Sequence, residues 1–299
     1  MGIIPAGSVV VRWIVAMLAT IVSVCCLASM NNPFEPKPLD IQGHRGCRGL
    51  LPENTIPAFK KALALRVTTL EFDLQATKDW TLVVYHDPHL DPKRCIYDDG
   101  RKVPKRLIEE LTYGDLADID CGQLFDPRFP TQKKTSGLRI PRLQDVLVLA
   151  QQADYPVRLN IEMKWRERKD GLSVHELAGR IIALIKHYDL QSRTIIQSFY
   201  PPALRAVREI DGDIARAILV EKPEDYDHRF RESAATILSP RFQQLRLKDV
   251  RRFQGRGVSV IPWTVNEAAD ICRLIRWGVD GIISDYPDRV IELYVKRLC

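Results

Sequence analysis

Two histidines, an arginine and two carboxylates lie within one short part of the chain, and together they could support acid–base chemistry on a phosphodiester. They are His44, Arg45, Glu71, Asp73 and His86. Two histidines can serve as acid and base, an arginine can bind an anion, and carboxylates can bind a metal ion. Core packing does not require such a cluster, so we interpret it as a candidate active site.

The carboxylates of this cluster lie on alternating positions of an apolar segment. In Leu70-Glu71-Phe72-Asp73-Leu74 the two acidic side chains share one face of a predicted strand. In a parallel strand buried on both faces, such a pair needs a cation or a proton between the carboxylates. Glu162 lies on a later predicted strand, and the three acids could bind one divalent cation, with oxygen ligands favouring Ca²⁺ or Mg²⁺ over zinc. The alternative for Glu162 is an ion pair with Lys164 or an arginine.

The elements that position these residues alternate between strand-like and helix-like segments. A helix begins near residue 55, capped by Asn54 or Thr55. The predicted strands comprise residues 41–44, 69–76, 158–163, 194–199, 214–220, 236–239, 259–265 and 281–284. Eight such units predict an α/β fold, a (β/α)8 TIM barrel, in which catalytic groups lie at the carboxyl ends of strands. A doubly wound open sheet is the alternative, but the glycine fingerprint of its phosphate site is missing.

One segment interrupts this alternation. Residues 88–139 contain many Pro, Asp, Gly and Arg residues and lack periodicity, apart from one helical piece near residues 107–118. We interpret the segment as an insertion after the second strand rather than a separate large domain.

Composition limits the class of protein. The chain has 299 residues, of which 45% are hydrophobic, enough for one large core. Its net charge of +6 is spread along the chain in short runs mixed with acids. A solvated surface is therefore favoured over nucleic-acid binding.

The N-terminal segment is apolar and predicts an extracytoplasmic protein. Residues 13–34 carry no charge and follow Arg12, as in a secretory signal cleaved after Ala28. An uncleaved membrane anchor and lipid attachment at Cys25 or Cys26 are alternatives, and a buried helix is another. We therefore predict a signal peptide or membrane anchor over residues 1–34. The domain at residues 35–299 would be periplasmic or secreted, with possible membrane association through residues 13–34.

The cysteines are compatible with that compartment. Removal of residues 1–28 would leave five of the seven, without CxxC or zinc-site spacing. Cys95 and Cys121 lie in the same loop-rich segment, and we predict that they could form a disulfide.

Taken together, several motifs resemble those of the glycerophosphodiester phosphodiesterases. They are His44-Arg45-Gly46, Pro52-Glu53-Asn54-Thr55, Glu71-x-Asp73, Thr77-Lys78-Asp79, His86-Asp87, Glu162-x-Lys164 and Pro262-Trp263-Thr264. The resemblance covers roughly residues 40–290. It implies a TIM barrel with an insertion after the second strand and one divalent cation, usually Ca²⁺ or Mg²⁺. It also implies hydrolysis of a glycerophosphodiester substrate to glycerol 3-phosphate and an alcohol.

The resemblance also implies roles for individual residues. Glu71, Asp73 and Glu162 look like the metal ligands, and His44 and His86 like the general acid/base pair. Arg45 and Lys164 would contact the phosphate, and Trp263 would line the glycerol side of the substrate. Trp80 departs from the family pattern, which commonly has glycine there.

Two other functions remain open at this point. One is a lysophospholipase D or another lipid phosphodiesterase of the same barrel type, for which the apolar N-terminus is suitable. The other is a non-catalytic, membrane-tethered barrel that binds phosphorylated ligands, although a binding protein would not need a second histidine. The sequence predicts no oligomeric state.

Overall fold

Eleven strands lie in the part of the chain that the computed structural model describes, which comprises Gly2 and residues 38–167 and 171–299. In chain order they are β1 (Asp40–Gly43), β2 (Thr69–Ala76), β3 (Leu82–Val84), β4 (Ile96–Tyr97), β5 (Ile119–Asp120), β6 (Arg158–Met163), β7 (Thr194–Ser198), β8 (Ala215–Val220), β9 (Ile237–Pro240), β10 (Ser259–Val260) and β11 (Gly281–Ser284). The helices are α1 (Ile56–Ala64), α2 (Leu143–Gln151), α3 (Val174–His187), α4 (Pro201–Ile210), α5 (Tyr226–Ser233), α6 (Leu247–Gln254), α7 (Ala268–Trp277) and α8 (Pro287–Val295).

Eight of these strands form a parallel barrel. Their order is β11-β1-β2-β6-β7-β8-β9-β10, and β3 adds an antiparallel partner to β2. Backbone hydrogen bonds of 3.0 Å from Asp280 N to Val260 O and from Ile283 N to Pro262 O join the last two strands, so the ring is nearly closed. The predicted (β/α)8 barrel is confirmed, and the alternative of an open doubly wound sheet is wrong.

The two faces of the barrel wall carry different residues. The outward face is apolar and packs under the helices; for example, the rings of Phe72 on β2 and Phe59 on α1 meet edge to face at 5.6 Å. Inside, β7 to β11 contribute a buried apolar cluster that includes Ile195, Ile237 and Ile283. The inner faces of β1, β2 and β6 instead carry buried polar groups, and the candidate site lies on this polar side.

The segment 88–139 runs from the end of β3 to the start of α2. It has a small apolar core that includes Leu90, Ile108 and Ile119, and β4 pairs with β5. The disulfide between Cys95 and Cys121 is present beside this pair, as predicted. Among the described residues a second disulfide joins Cys272 to Cys299, while Cys47 is a buried free thiol.

The helix predicted near residues 107–118 is wrong in detail. Two short 3₁₀ turns, Ile108–Glu110 and Gly114–Leu116, replace it. Leu111 between them is extended, and its carbonyl accepts a hydrogen bond from Lys78 N. The Asp115 carboxylate accepts bonds from Thr112 N and Oγ1, which starts a new turn in place of a continuing helix.

Local backbone geometry resolves two details of the sequence. Thr55, rather than Asn54, caps α1, because its hydroxyl accepts a hydrogen bond from Ala58 N. Trp80 has φ of 62°, in the left-handed region that glycine adopts most readily, which is consistent with the family's glycine at this turn.

The predicted signal peptide or anchor at residues 1–34 lies outside the described residues, apart from Gly2. In the part of the chain that the structure describes, no helix has both the length and the apolar character needed to cross a bilayer.

Candidate active site

Three carboxylates meet at the mouth of the barrel. Glu71 and Asp73 lie on β2 and Glu162 on β6, with Asp73 directly opposite Glu162 in the strand register. One oxygen of each lies within 4.8 Å of the others, and all three side chains are buried. The structure thus brings the three predicted residues together, and their oxygen-only donor set is the one that hard divalent cations prefer.

The electrostatics of this triad support a cation site. Burial raises the pKa of Glu71 well above its usual range, and the neighbouring charge of Asp73 adds to the effect. Burial likewise raises the pKa of Glu162. Asp73 is also buried, but Lys164 and Arg45 outweigh the burial and lower its pKa. Two carboxyls of the three therefore resist ionisation, which a bound cation would relieve.

Lys164 occupies the side of the triad. Its Nζ lies 2.7 Å from Glu162 Oε1 and 3.1 Å from Asp73 Oδ1. The ion pair considered for Glu162 is therefore present, alongside the triad rather than in place of it. The phosphate contact expected for Lys164 stays a prediction.

A polar layer below the triad holds Glu71 in place. Gln197 Nε2 on β7 donates to Glu71 Oε1 at 2.6 Å. Asn160 Nδ2 on β6 donates to the side-chain oxygens of Gln197 and Gln42, at 3.0 and 2.7 Å. These amides fix one oxygen of Glu71, while Arg45 N donates to the other at 2.9 Å.

Both candidate acid–base histidines are bound to an aspartate through the same ring nitrogen. His44, directly after β1, has Nδ1 2.6 Å from Asp285 Oδ1, and Asp285 directly follows β11. His86 has Nδ1 2.6 Å from Asp87 Oδ1. With Nδ1 donating to the aspartate, each ring leaves Nε2 as the nitrogen available for proton transfer. His44 is buried, and the burial together with Arg48 lowers its pKa to about 4.

Arg45 adopts a left-handed backbone with φ of 50° and turns its side chain toward acidic groups. Its NH1 donates to Glu53 Oε1 at 2.8 Å, and its Nε lies 3.3 Å from Asp73 Oδ2. Glu53 also pairs with Arg48, at 3.6 Å, and with Arg94 of the segment 88–139. Arg45 is thereby held at the edge of the triad as a fixed positive charge.

Two cavities open beside these groups. The first, of about 290 Å³, is lined by His44, Glu71 and Glu162 together with Phe199 and Trp263. The ring nitrogen of Trp263 donates to Ser239 O at 2.8 Å, which fixes the indole. The second, of about 700 Å³, extends between the barrel and the segment 88–139. Arg45, Arg48 and His86 line both cavities, so the two spaces meet at these residues.

One contact network joins six of the residues predicted from the sequence, which are His44, Arg45, Glu71, Asp73, Glu162 and Lys164. His86 and Trp263 lie at the edges of the cavities. Sequence reasoning missed the partners that orient them. Asp285 carried a usable signal, because it directly follows the last barrel strand as His44 follows the first. Arg48 and Arg94 carried no such signal.

Comparison with known proteins identifies the family. The model of the glycerophosphoryl diester phosphodiesterase family matches residues 44–289. A glycerophosphodiester phosphodiesterase of Caldanaerobacter subterraneus subsp. tengcongensis is 32% identical over 256 residues, covering 85% of this chain and 96% of the relative. A glycerophosphodiester phosphodiesterase of Bacillus subtilis (strain 168) is 29% identical over 281 residues, covering 91% and 92%.

Solved structures share the fold. A crystal structure from Silicibacter pomeroyi DSS-3, provisionally assigned as a glycerophosphoryl diester phosphodiesterase, superposes with a TM-score of 0.82 at 31% identity. It covers 88% of this chain and 95% of that one. An Oleispira antarctica phosphodiesterase, solved with the product sn-glycerol-3-phosphate, has a TM-score of 0.72 at 23% identity and covers 87% of this chain and 97% of that one. The chain therefore belongs to the glycerophosphoryl diester phosphodiesterase family and is an enzyme, which removes the alternative of a non-catalytic barrel.

Proposed function

We propose that this enzyme hydrolyses glycerophosphodiesters to glycerol 3-phosphate and an alcohol by His/His acid–base catalysis beside a carboxylate-bound cation. The observation that carries the proposal is the pair of histidines, each bound to an aspartate through Nδ1, that flank the buried carboxylate triad. Family membership and the names of the Bacillus and Caldanaerobacter relatives support the choice of substrate.

The two histidines would share the proton transfers. One ring, in its neutral form, takes at Nε2 the proton of the attacking hydroxyl, which belongs either to water or to the substrate's own glycerol. The other ring, protonated on both nitrogens, gives its Nε2 proton to the departing alcohol. Asp285 and Asp87 accept the Nδ1 protons of the two rings and so hold each Nε2 in the orientation that these steps need. General acid–base catalysis of this kind contributes roughly 10²- to 10⁴-fold per group.

Glu71, Asp73 and Glu162 would hold one divalent cation, Ca²⁺ or Mg²⁺. Such an ion, when bound, neutralises the charge that gathers on phosphoryl oxygens. Arg45 contributes a second positive charge that remains in place before substrate arrives, because Glu53 and Asp73 already fix its side chain. Lys164 would add a third through contact with the phosphate.

The two cavities fit the two halves of a diester. A phosphate beside Arg45 and His86 has space for one alcohol group on each side. Trp263 would line the glycerol half in the smaller cavity, and the leaving alcohol would then occupy the larger one.

The test is release of glycerol 3-phosphate by the purified full-length protein. After chelation, glycerophosphocholine and glycerophosphoethanolamine are supplied with and without Ca²⁺ or Mg²⁺. Metal-dependent release that is lost in His44→Ala would support the proposal. No release with either metal would overturn it.

A lipid substrate is a second candidate. Phe199 in the smaller cavity and Phe125 in the larger are 41% and 48% exposed, so both cavities have an apolar rim. A mouse lysophospholipase D is also 24% identical, covering 86% of this chain and 83% of the relative. Faster turnover of lysophosphatidylcholine than of glycerophosphocholine would favour this alternative.

We also propose that residues 35–299 form the catalytic domain and act outside the cytoplasm, behind a signal peptide or anchor at residues 1–34. The disulfides Cys95–Cys121 and Cys272–Cys299 support an oxidising compartment. Trapping free thiols in intact cells with a maleimide would test this, because in a cytoplasmic protein these four cysteines would be labelled.

A further inference from the structure

A continuous chain of paired charges links the two candidate catalytic histidines. On one side Asp285 binds both His44 and Arg48, and Arg48 reaches Glu53. On the other side Asp87 binds His86. The connection between the two sides is Arg94, from the segment 88–139, which donates through NH1 to Glu53 and through NH2 to Asp87.

We propose that Arg94 is a positioning residue for catalysis, which it supports by holding Asp87, and through it His86, in register with Arg45. This proposal rests on the proposed function, since it assigns a partner to the acid–base pair of that reaction. Arg94 is not itself assigned a contact with substrate.

The contacts of Asp87 explain why the aspartate depends on Arg94. One of its oxygens faces His86 and the other faces Arg94, and these are its side-chain partners among the described residues. The side chains of His86 and Asp87 are 32% and 26% exposed, so they are less enclosed than that of Arg94. Arg94 is only 12% exposed and is therefore the fixed member of the group.

Arg94 in turn is held on all sides. Its Nε donates to Asp91 Oδ2 at 3.0 Å, and its guanidinium lies 5.6 Å from the centre of the Tyr85 ring. The Tyr85 hydroxyl accepts a hydrogen bond from Asp91 N at 3.0 Å. The next residue, Cys95, is fully buried and disulfide-bonded. A planar guanidinium can serve three carboxylates at once, whereas a lysine ammonium offers a point charge without that fork geometry.

The experiment compares kcat and KM of the full-length enzyme on glycerophosphocholine for wild type, Arg94→Ala and Arg94→Lys. A misplaced acid–base group costs about 10²-fold in rate, so we expect kcat to fall by that order in Arg94→Ala with a smaller change in KM. Added guanidinium ion should restore part of the kcat of Arg94→Ala, whereas sodium at equal ionic strength should not. Arg101→Ala is the matched control, because Arg101 lies in the same segment, is 75% exposed and pairs with Asp99.

Each outcome has one meaning. A fall in kcat with guanidinium rescue supports the proposal. A kcat within twofold of wild type, or a loss confined to KM, overturns it while leaving the proposed function intact. If Arg94→Ala does not fold, Arg94→Lys decides: a kcat loss of about tenfold at an unchanged Tm supports the proposal, and an unchanged kcat overturns it. An inactive wild type would count against the proposed function instead.

Discussion

Replacing Glu53 with glutamine should lower the free energy of unfolding of the protein at neutral pH. The Glu53 carboxylate is bound by Arg45, Arg48 and Arg94. Burial would raise its pKa, but the three arginines outweigh that effect and lower the pKa from 4.5 to about 2. A lowering of this size corresponds to about 3 kcal/mol of folding free energy.

The sign of the pH dependence follows from the direction of the shift. Because the folded-state pKa of Glu53 is the lower one, this stabilisation is complete above pH 4.5 and is lost as the pH falls toward 2. Urea denaturation of wild type and Glu53→Gln, with disulfides intact, measures the free energy of unfolding at pH 7 and at pH 3. The difference between the two proteins should roughly halve at pH 3.

The exposed Glu292 on α8, which pairs with Lys296 directly after the helix, provides the matched control. Glu292→Gln should leave the unfolding free energy close to that of wild type, because an exposed ion pair contributes little to stability. A Glu53→Gln difference no larger than that of Glu292→Gln at pH 7, or one equal at both pH values, would refute this reasoning.

Three further predictions concern catalysis, metal and disulfides. His44→Ala and His86→Ala should each lower kcat by roughly 10²- to 10⁴-fold with an unchanged circular dichroism spectrum, and near-normal rates would contradict the assigned roles. Glu71→Gln should abolish the calorimetric signal of Ca²⁺ or Mg²⁺ binding to the chelated protein, and binding equal to wild type would place the ion elsewhere. The disulfides span 26 and 27 residues. The double variants Cys95→Ser/Cys121→Ser and Cys272→Ser/Cys299→Ser should therefore each have a free energy of unfolding about 3 kcal/mol below that of wild type in urea denaturation. A difference under about 1 kcal/mol would argue against the closed loop.

The barrel could be predicted from the sequence because short apolar strand segments alternate with helical segments along the chain. In β2 the acids Glu71 and Asp73 interrupt such a run at every second position, and in β6 Asn160 and Glu162 do the same, so the face that each acid occupies followed from periodicity. The strand ends then placed His44 at the same mouth of the barrel, whereas Trp263 was expected there only from the resemblance to the family.

The supporting partners could not be predicted, because pairing between distant side chains leaves no local pattern. Asp285 reaches His44 across 241 positions, and Arg94 reaches Glu53 across 41. In the irregular segment 88–139, hydrogen bonds from side chains such as Asp115 decide the turns, and hydrophobic periodicity does not report them. Glu53 was visible as part of a motif, but its three arginine partners were not.

The adjacency of β1 and β11 has a consequence for how activity develops as the protein folds. His44 obtains its aspartate only when the last strand docks beside the first, with Gly43 opposite Ser284. Loop closure between such distant segments is entropically costly and slow. Recovery of turnover after denaturation should therefore lag behind recovery of helix content, and the enzyme's own catalytic rate becomes a reporter of the step that completes the ring.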